Sequence, residues 1–378
     1  MSHCVGSSGL GLRASAHRGG YGPSSRDGGG IVNRPQSSPT MLFFRQTRRR
    51  EVIAAISFGA LSVWSTWVSA QQNDHVKRIE VLMGGLSEGD PAGLAELAAF
   101  QEELKALGWA PGRNVTIDVR WPGADLERVR QLAISIAGSR PHLVLSRSTP
   151  ATVALRNEAP SLPTVFVLLA EPVESGIVQS LARPGGSVTG FSNFEGSIGA
   201  KWLELLKELS PSLTRVAVLH NPRTAPFAPV FMRSVEAGAQ ALGVEVVAAP
   251  VVDDIGVESA IAAIGRTPGG GLIGITDTFV NERRQLIIEL AALYRVPAVY
   301  ANRSFTPAGG LLAFAADYPD LFRRAASYVD RILKGTSPGE LPVQQPTRFE
   351  LSINMATARA LGLEVPRSLL ARADEVIE

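Results

Sequence analysis

Eight side chains that suit ligand binding follow predicted strands in this sequence of 378 residues. Their hydroxyl, amide and carboxylate groups can hydrogen-bond a polar solute, and one aromatic ring can cover an apolar part of it. Parallel sheets bind ligands outside the carboxyl ends of their strands, so the position of these side chains favours a binding site. The candidates are Ser87, Ser148, Thr149, Glu171, Asn221, Asp277, Thr278 and Phe305.

Two of these loops have a more specific chemistry. In "SRSTPATVAL", Ser148 or Thr149 is placed to cap a helix that begins at Pro150, and a helix N-terminus at a strand end attracts carboxylates. Asp277 follows the strand "GLIGIT", where its carboxylate can hold an ammonium group. Capping of the local helix also explains each of these residues. The sequence leaves both interpretations open.

Residues for catalysis are scarce. Of the five histidines, only His142 and His220 border the body of the chain, and no activated nucleophile accompanies His220. The sequence has no His-x-x-x-His motif, cysteine pair, carboxylate cluster or phosphate-binding glycine motif. We therefore expect no enzyme activity, no metal and no cofactor.

Short β-branched runs alternate with helical patterns from Arg78 onwards, which predicts parallel β-α-β units. The strands "RIEVLM", "NVTIDVRW", "HLVLS" and "TVFVL" form a first half. A second half repeats the pattern at an offset of about 130 residues, through either internal duplication or generic α/β patterning. The predicted fold class is α/β, with two doubly wound parallel-sheet lobes that enclose a cleft.

The first 70 residues have the composition of a leader. Residues 1–40 are rich in Gly, Ser, Arg and Pro and are expected to be disordered or a misassigned extension, with Met41 as the alternative start. Residues 41–70 resemble a signal peptide, because three arginines precede an apolar run that ends in small residues. We expect cleavage near Ala70 and export to the periplasm. The arginines favour the twin-arginine route but also satisfy the ordinary secretory pattern, and an uncleaved membrane anchor is the alternative to cleavage.

The charge balance argues against nucleic acid as a partner. The full chain has 37 Lys+Arg and 35 Asp+Glu. About eight Lys+Arg and two Asp+Glu precede Gln71, which leaves roughly 29 against 33 and a net charge of about −4 for the mature chain. Cys4 is the only cysteine, so we expect neither a disulfide nor a lipid-modified cysteine after cleavage.

Longer strings resemble a known family. "EPVESGIVQSLARPGGSVTGFS", "PAVYANRSFTPAGGLLAFAADYPDLFRRAASYVDRILKG" and "VPRSLLARADEVIE" resemble substrate-binding components of bacterial ABC transporters, in the group related to tryptophan- and tyrosine-binding proteins. The resemblance covers Lys77 to Glu378 and implies the type I periplasmic binding fold, with a three-segment hinge. Arg147 departs from the pattern, because a small residue is more usual there. The sequence leaves Arg147 as either a carboxylate clamp or a solvated side chain.

The expected domain boundaries combine this resemblance with local signals. The strings "GSVTGFS", "GGLLAFAADY" and "QPTRFELSIN" are candidate crossings between the lobes. Lobe 1 is then expected at residues 71–192 plus about 314–345, and lobe 2 at 193–313 plus about 346–378. The amphipathic helix "LFRRAASYVDRIL" is expected to pack on lobe 1, with lobe 2 as the alternative.

Together these features predict the periplasmic solute-binding component of an ABC importer. Hinge closure would capture a small solute, an amino acid or an aromatic carboxylate, for delivery to a permease in the inner membrane. We expect a monomer. The alternatives are a ligand-sensing ectodomain of a membrane receptor and a hydrolase or lyase on the same fold. A DNA-binding regulator would need a helix-turn-helix where this chain has its leader.

Overall fold

The computed structural model describes residues 76–378. The predicted signal peptide, its cleavage site and the alternative start at Met41 lie outside the described residues. Within them, the chain forms two α/β lobes, each built around its own sheet.

The first sheet has five parallel strands in the order β2-β1-β3-β4-β5. The last three of these are buried along their whole length, which explains their nearly unbroken apolar runs. The strands are β1 (Lys77–Gly84), β2 (Val115–Gly123), β3 (Leu143–Arg147), β4 (Thr164–Leu169) and β5 (Val188–Ser192).

Three helices connect the strands of this sheet. They are α1 (Pro91–Ala106), α2 (Leu126–Ser139) and α3 (Thr149–Glu158). Asp90 and Asp125 begin α1 and α2, because each carboxylate accepts a 2.9 Å hydrogen bond from a backbone N–H of the first turn. Leu97, Phe100 and Leu104 form the buried face of α1, as their spacing predicts.

The second sheet has seven strands in the order β12-β11-β10-β9-β8-β6-β7. From β7 to β10 this order repeats that of the first sheet, in keeping with an internal duplication. The added strands are β6 (Arg215–His220), β7 (Glu245–Pro250), β8 (Gly270–Gly274), β9 (Ala298–Tyr300), β10 (Leu312–Ala316), β11 (Phe349–Asn354) and β12 (Glu375–Ile377).

One strand departs from the parallel arrangement that the sequence predicts. β11 runs antiparallel to β10, and Ala316 at the end of β10 pairs with Phe349 at the start of β11. The chain leaves β10 for the first lobe and re-enters the second sheet at the same end. A strand that begins where its neighbour ends must run in the opposite direction.

The remaining helices are α4 (Ile198–Leu209), α5 (Ala228–Leu242), α6 (Asp254–Gly265), α7 (Thr278–Glu282), α8 (Arg284–Leu293), α9 (Tyr318–Leu333), α10 (Met355–Leu361) and α11 (Arg367–Leu370). Trp202 in α4 is fully buried, and its indole Nε1 donates to the Phe314 carbonyl at 2.9 Å. Among residues 76–378, no helix is both long and apolar enough to cross a bilayer.

Helix α9 packs on the first lobe although it follows β10 of the second sheet. It contacts α1 and β4, and the indole Nε1 of Trp109 donates to the Asp330 carboxylate at 2.9 Å. The chain therefore passes between the lobes after β5, between β10 and α9, and again before β11. Near the last crossing, the Gln344 N–H donates to the Gly190 carbonyl at 2.9 Å. These crossings run side by side at one edge of the cleft.

Candidate functional site

A small cavity, with about 20 Å³ open to the centre of a water molecule, lies between the lobes, at the carboxyl ends of the central strands. Both lobes and the crossing segments contribute to its lining, as expected for parallel sheets whose strand-end loops face each other. The lining residues are Arg147, Ser148, Thr149, Pro150, Leu168, Ala170, Asn193, Thr224, Phe227, Thr276, Asp277, Thr278, Asn281 and Tyr318.

Three polar atoms that line this cavity are buried without a hydrogen-bond partner. They are Ser148 Oγ, Asn193 Oδ1 and Thr278 Oγ1. A buried polar group left unpaired costs about 1–3 kcal/mol, so three in one small cavity are unusual in a folded protein. A bound solute with polar groups would supply the missing partners.

Ser148 has a strained backbone. Its φ of 83° and ψ of 156° fall in a region that is essentially restricted to glycine, at a cost of about 1–3 kcal/mol. Ser148 occupies the N-cap position of α3, but its side chain makes no capping hydrogen bond. The sequence therefore places Ser148 correctly at the start of α3, but capping does not explain its hydroxyl group. Ser148 lines the cavity instead.

Gly84 permits this conformation. A Cβ atom at Gly84 would lie 2.6 Å from Ser148 Oγ and 2.7 Å from the Arg147 carbonyl oxygen. The close approach of β1 to the start of α3 therefore requires glycine at this position.

Asp277 lies on the opposite wall and is 3% exposed. Its Oδ1 accepts hydrogen bonds from the Thr224 hydroxyl at 2.5 Å and the Phe279 N–H at 3.0 Å, and its Oδ2 accepts from the Asn221 N–H at 2.6 Å. Burial raises the pKa of Asp277 to about 6, although these bonds and the charge of Arg283 oppose the rise. Asp277 thus caps α7, and Oδ2 keeps room for a further donor.

Arg147 is neither solvated nor free. Its guanidinium makes a bidentate pair with Glu96 of α1, at 2.6 Å from Nε to Oε2 and 3.2 Å from Nη2 to Oε1, and Nη1 donates to the Gly84 carbonyl at 2.9 Å. The two residues are 3% and 1% exposed. This pair fixes the guanidinium at the cavity wall and leaves one N–H on each terminal nitrogen for another acceptor.

Leu168 reaches the cavity through an irregularity in β4. Its φ is +60°, and the register between β4 and β5 shifts between Val167 and Leu169. Such a β-bulge redirects a side chain, and a non-glycine residue in this left-handed region is uncommon. Glu171, three residues further on, also has a positive φ of 49°. The wall formed by the first lobe is therefore strained at three nearby positions.

Polar contacts between the lobes hold the cavity closed. The Asn193 amide Nδ2 donates to the Thr276 hydroxyl at 2.8 Å, and the Ala124 N–H donates to Glu282 Oε1 at 3.2 Å. Arg284 lies 3.8 Å from the Asp90 carboxylate across the cleft. The structure therefore represents the closed arrangement of the lobes.

Four of the eight residues predicted from the sequence line the cavity: Ser148, Thr149, Asp277 and Thr278. Three of the other four lie elsewhere for clear reasons. Ser87 is exposed on the loop after β1. Asn221 uses its backbone N–H to hold Asp277. Phe305 is buried in the second lobe, with its ring stacked 4.1 Å from that of Tyr300.

Glu171, the fourth, lies next to the lining residue Ala170 but does not itself line the cavity. Its Oε1 is buried without a side-chain partner, and burial raises the pKa of this carboxyl. His220 is also buried outside the lining, with Nδ1 3.2 Å from the Val218 carbonyl oxygen. Within the described part of the chain, no cluster of His, Cys, Asp or Glu is arranged to hold a metal ion.

The crossing segments supply residues that sequence analysis did not select. Asn193 follows β5, and Tyr318 begins α9, where its hydroxyl donates to the Ala301 carbonyl at 3.1 Å. Burial raises the pKa of Tyr318 to about 12, so it remains a hydrogen-bond donor. Both residues lie at predicted crossings between the lobes. Because hinge segments border the cleft, these crossings could have been included among the candidate binding residues.

Two lobes with the same strand order, closed on a polar cavity, define a periplasmic binding protein of the type I fold. The chain belongs to the ABC transporter substrate binding protein family, whose model matches residues 88–377. Members of this family bind substrates, which agrees with the prediction that the chain is not an enzyme.

Similar proteins share both sequence and fold. The tyrosine-binding protein of Clostridioides difficile strain R20291 is 27% identical over 269 residues, which cover 70% of this chain and 76% of that protein. A Streptococcus pneumonia ABC domain in complex with L-Trp has a TM-score of 0.73 at 22% identity and covers 80% of this chain and all of that one, 100%.

A second solved structure represents the open state. The ligand-free, open structure of a substrate-binding protein with adhesive properties from Clostridium difficile has a TM-score of 0.60 at 25% identity and covers 80% of this chain and 99% of that one.

Proposed function

We propose that this protein captures an amino acid between its lobes and delivers it to an inner-membrane permease as part of an ABC importer. The observation that carries the proposal is the closed cavity with three buried, unpartnered polar atoms, one on each lobe and one on a crossing. Burying these atoms without hydrogen-bond partners costs free energy in the closed form without solute. A bound polar solute would remove that cost.

The two walls suit the two ends of a zwitterion. On the first lobe, the start of α3 and the spare N–H groups of Arg147 favour a carboxylate, and the unpaired hydroxyl of Ser148 adds a donor. On the second lobe, the free lone pair of Asp277 suits an ammonium group. The relatives named for tyrosine and L-Trp support an α-amino acid over an aromatic carboxylate that lacks the ammonium group.

Closure follows from where these groups lie. Ser148 and Asp277 are on different lobes, so a solute contacts both only when the cleft is shut. A shift from 1:99 to 99:1 in favour of the closed form needs about 5.5 kcal/mol of differential affinity. Two charge-assisted hydrogen bonds, each of about 1.5–3 kcal/mol, supply most of it. The closed surface would then be what the permease recognises.

The family and the leader support the proposed location. Substrate-binding proteins of ABC transporters act outside the inner membrane, and the signal-like segment at residues 41–70 supports export to the periplasm. We propose cleavage near Ala70, use of the twin-arginine route, and a monomeric mature protein. The proposed lobes are residues 71–192 plus about 314–345 and residues 193–313 plus about 346–378.

Thermal-shift screening of the purified mature protein against the L-amino acids, followed by titration calorimetry, tests the proposal. At a concentration of 100 times Kd, a true ligand adds about 2.7 kcal/mol of stability, which a melting curve resolves easily. Aromatic carboxylates without an amino group serve as the competing class. Stabilisation by one of these and by no amino acid would contradict the proposal.

A single isosteric change links this binding to the cavity. Thr278→Val removes a buried hydroxyl that has no partner, so the free protein should be as stable as the original or slightly more so. Its affinity for the amino acid should fall about tenfold, because the solute loses a hydrogen bond. Thr267→Val, which removes a hydroxyl bonded to the Ala263 carbonyl away from the cavity, is the matched control.

Affinity should also decrease in acid. An ammonium group pairs with the ionised form of Asp277, whose pKa burial raises to about 6. Affinity is therefore expected to be constant above pH 6 and to fall by up to about tenfold per pH unit below it. Stability of the free protein should move the other way, because a carboxyl with a raised pKa gains stability as pH falls from about 6 towards its ordinary value.

Calorimetry between about pH 5 and pH 8 checks this dependence. Asp277→Asn should abolish it, since no proton is then exchanged at this position. A wild-type affinity that stays constant across the range would show that the solute does not contact an ionised Asp277.

A further inference from the structure

Leu168 is the one strained residue at the cavity that has no polar group to explain its strain. Five non-glycine residues of the described chain have a positive φ, and two of them, Arg140 and Arg295, are exposed. Ser148 and Glu171 carry polar side chains, although Ser148 Oγ and Glu171 Oε1 have no hydrogen-bond partner in the protein. A leucine side chain can make no hydrogen bond at all, and its Cβ makes the left-handed region unfavourable. The remaining reason for this strained backbone is that it sets the direction of the Leu168 side chain.

The direction follows from the alternation along β4. Val165 and Val167 belong to the large core cluster on one face of the sheet, whereas Phe166 and Leu169 belong to a separate cluster on the other. Regular alternation would place Leu168 with Phe166. The bulge places it instead with Val167, on the face that reaches the cavity. One extra residue therefore turns a leucine side chain towards the space between the lobes.

The rest of the apolar lining is sparse. Pro150 and Ala170 contribute small surfaces from the first lobe, and Phe227 contributes a ring from the second. Leu168 and Phe227 are thus the large apolar side chains that face the cavity, and they come from opposite lobes. Both side chains are 6% exposed.

We propose that Leu168 is a specificity-determining residue, which with Phe227 selects amino acids with an apolar side chain. This inference rests on the proposed function, and it adds the class of side chain. The polar groups of the cavity bind the common α-carboxylate and α-ammonium of every amino acid. Leu168 contacts only what distinguishes one amino acid from another, so its removal should change relative affinities.

Leu168→Gly tests this role, because glycine adopts a φ of +60° without steric cost and lacks the side chain. The purified protein is titrated with L-alanine, L-leucine, L-phenylalanine and L-tryptophan. The affinity for the best of the three large ligands should fall at least about tenfold, and that for L-alanine should stay within about threefold. Leu168→Ala, which disturbs the backbone less, should show the same pattern.

Arg295→Gly is the matched control, since it relieves a φ of +53° at an exposed position away from the cavity. It should leave all four affinities unchanged. An equal loss for every ligand, or no loss for any, would overturn the role of Leu168. Failure of both Leu168 variants to fold would also overturn it, because the side chain would then be a core residue. If the unaltered protein binds none of the four but is stabilised by another L-amino acid, the selection of apolar side chains fails and the proposed function stands; if it binds no L-amino acid at all, the proposed function fails.

Discussion

Glu96→Gln is expected to lower the free energy of unfolding by about 3–5 kcal/mol, the largest effect on stability that we predict. Glu96 and Arg147 are almost fully buried, and each neutralises the charge of the other through two hydrogen bonds. Glutamine has a similar shape but no charge, so the guanidinium would remain buried without a counter-charge. Urea unfolding followed by circular dichroism measures the change.

Two further variants separate the charge from the packing. Glu96→Leu combined with Arg147→Met replaces the pair with apolar side chains and should recover most of the lost stability, because no charge is then buried. Glu204→Gln breaks the exposed pair between Lys201 and Glu204 and should change stability by less than about 0.5 kcal/mol. A Glu96→Gln protein as stable as the original would show that the pair is not ionised in the fold.

Asp277→Asn is expected to weaken amino acid binding by about 2–4 kcal/mol, or roughly 30- to 1,000-fold. The amide cannot supply the negative charge that pairs with an ammonium group. Its Oδ1 can still accept from the Thr224 hydroxyl and the Phe279 N–H, so α7 keeps its cap, whereas its Nδ2 faces the Asn221 N–H and leaves that one donor unpaired. Calorimetry gives the affinity, and thermal melting shows that the fold persists.

Alanine is the wrong substitution at this position. Asp277→Ala would leave the Asn221 N–H, the Thr224 hydroxyl and the Phe279 N–H buried without an acceptor, and lost affinity would be confused with lost structure. Asp253→Asn is the matched control, because Asp253 caps α6 in the same way at an exposed position. Similar affinities for Asp277→Asn and Asp253→Asn proteins would remove Asp277 from the site.

Local patterns predicted most of the fold. Runs such as "HLVLS" and "TVFVL" are buried on both sides, and short apolar segments of that kind are typical of the strands of a parallel sheet. The direction of β11 was not predictable in this way. It depends on the path of the chain through the first lobe and back, which is a property of the whole topology.

Site residues could be predicted from the sequence where the end of a strand alone determines where a side chain lies. Ser148 and Asp277 lie in the loops that follow equivalent strands of the two halves, and both line the cavity. Ser87 also follows a strand, but its loop turns outward, and Phe305 finds a partner ring in Tyr300. Arg147 remained undecided because its partner, Glu96, lies on a helix that only the fold brings beside it. The bulge at Leu168 leaves no mark in the alternation of "TVFVLL", where every residue after Thr164 is apolar.

The path of α9 has a consequence for how this protein is made. The first lobe needs α9 against α1, and the contact between Trp109 and Asp330 joins residues more than two hundred positions apart. The ribosome must therefore synthesise most strands of the second lobe before α9, the last helix of the first lobe, is available to it. Neither half is an independent folding unit during synthesis, and long-range contacts of this kind form late. A fragment that stops at β5 would leave the apolar face of α1 uncovered, so dividing the gene between the lobes should yield aggregates.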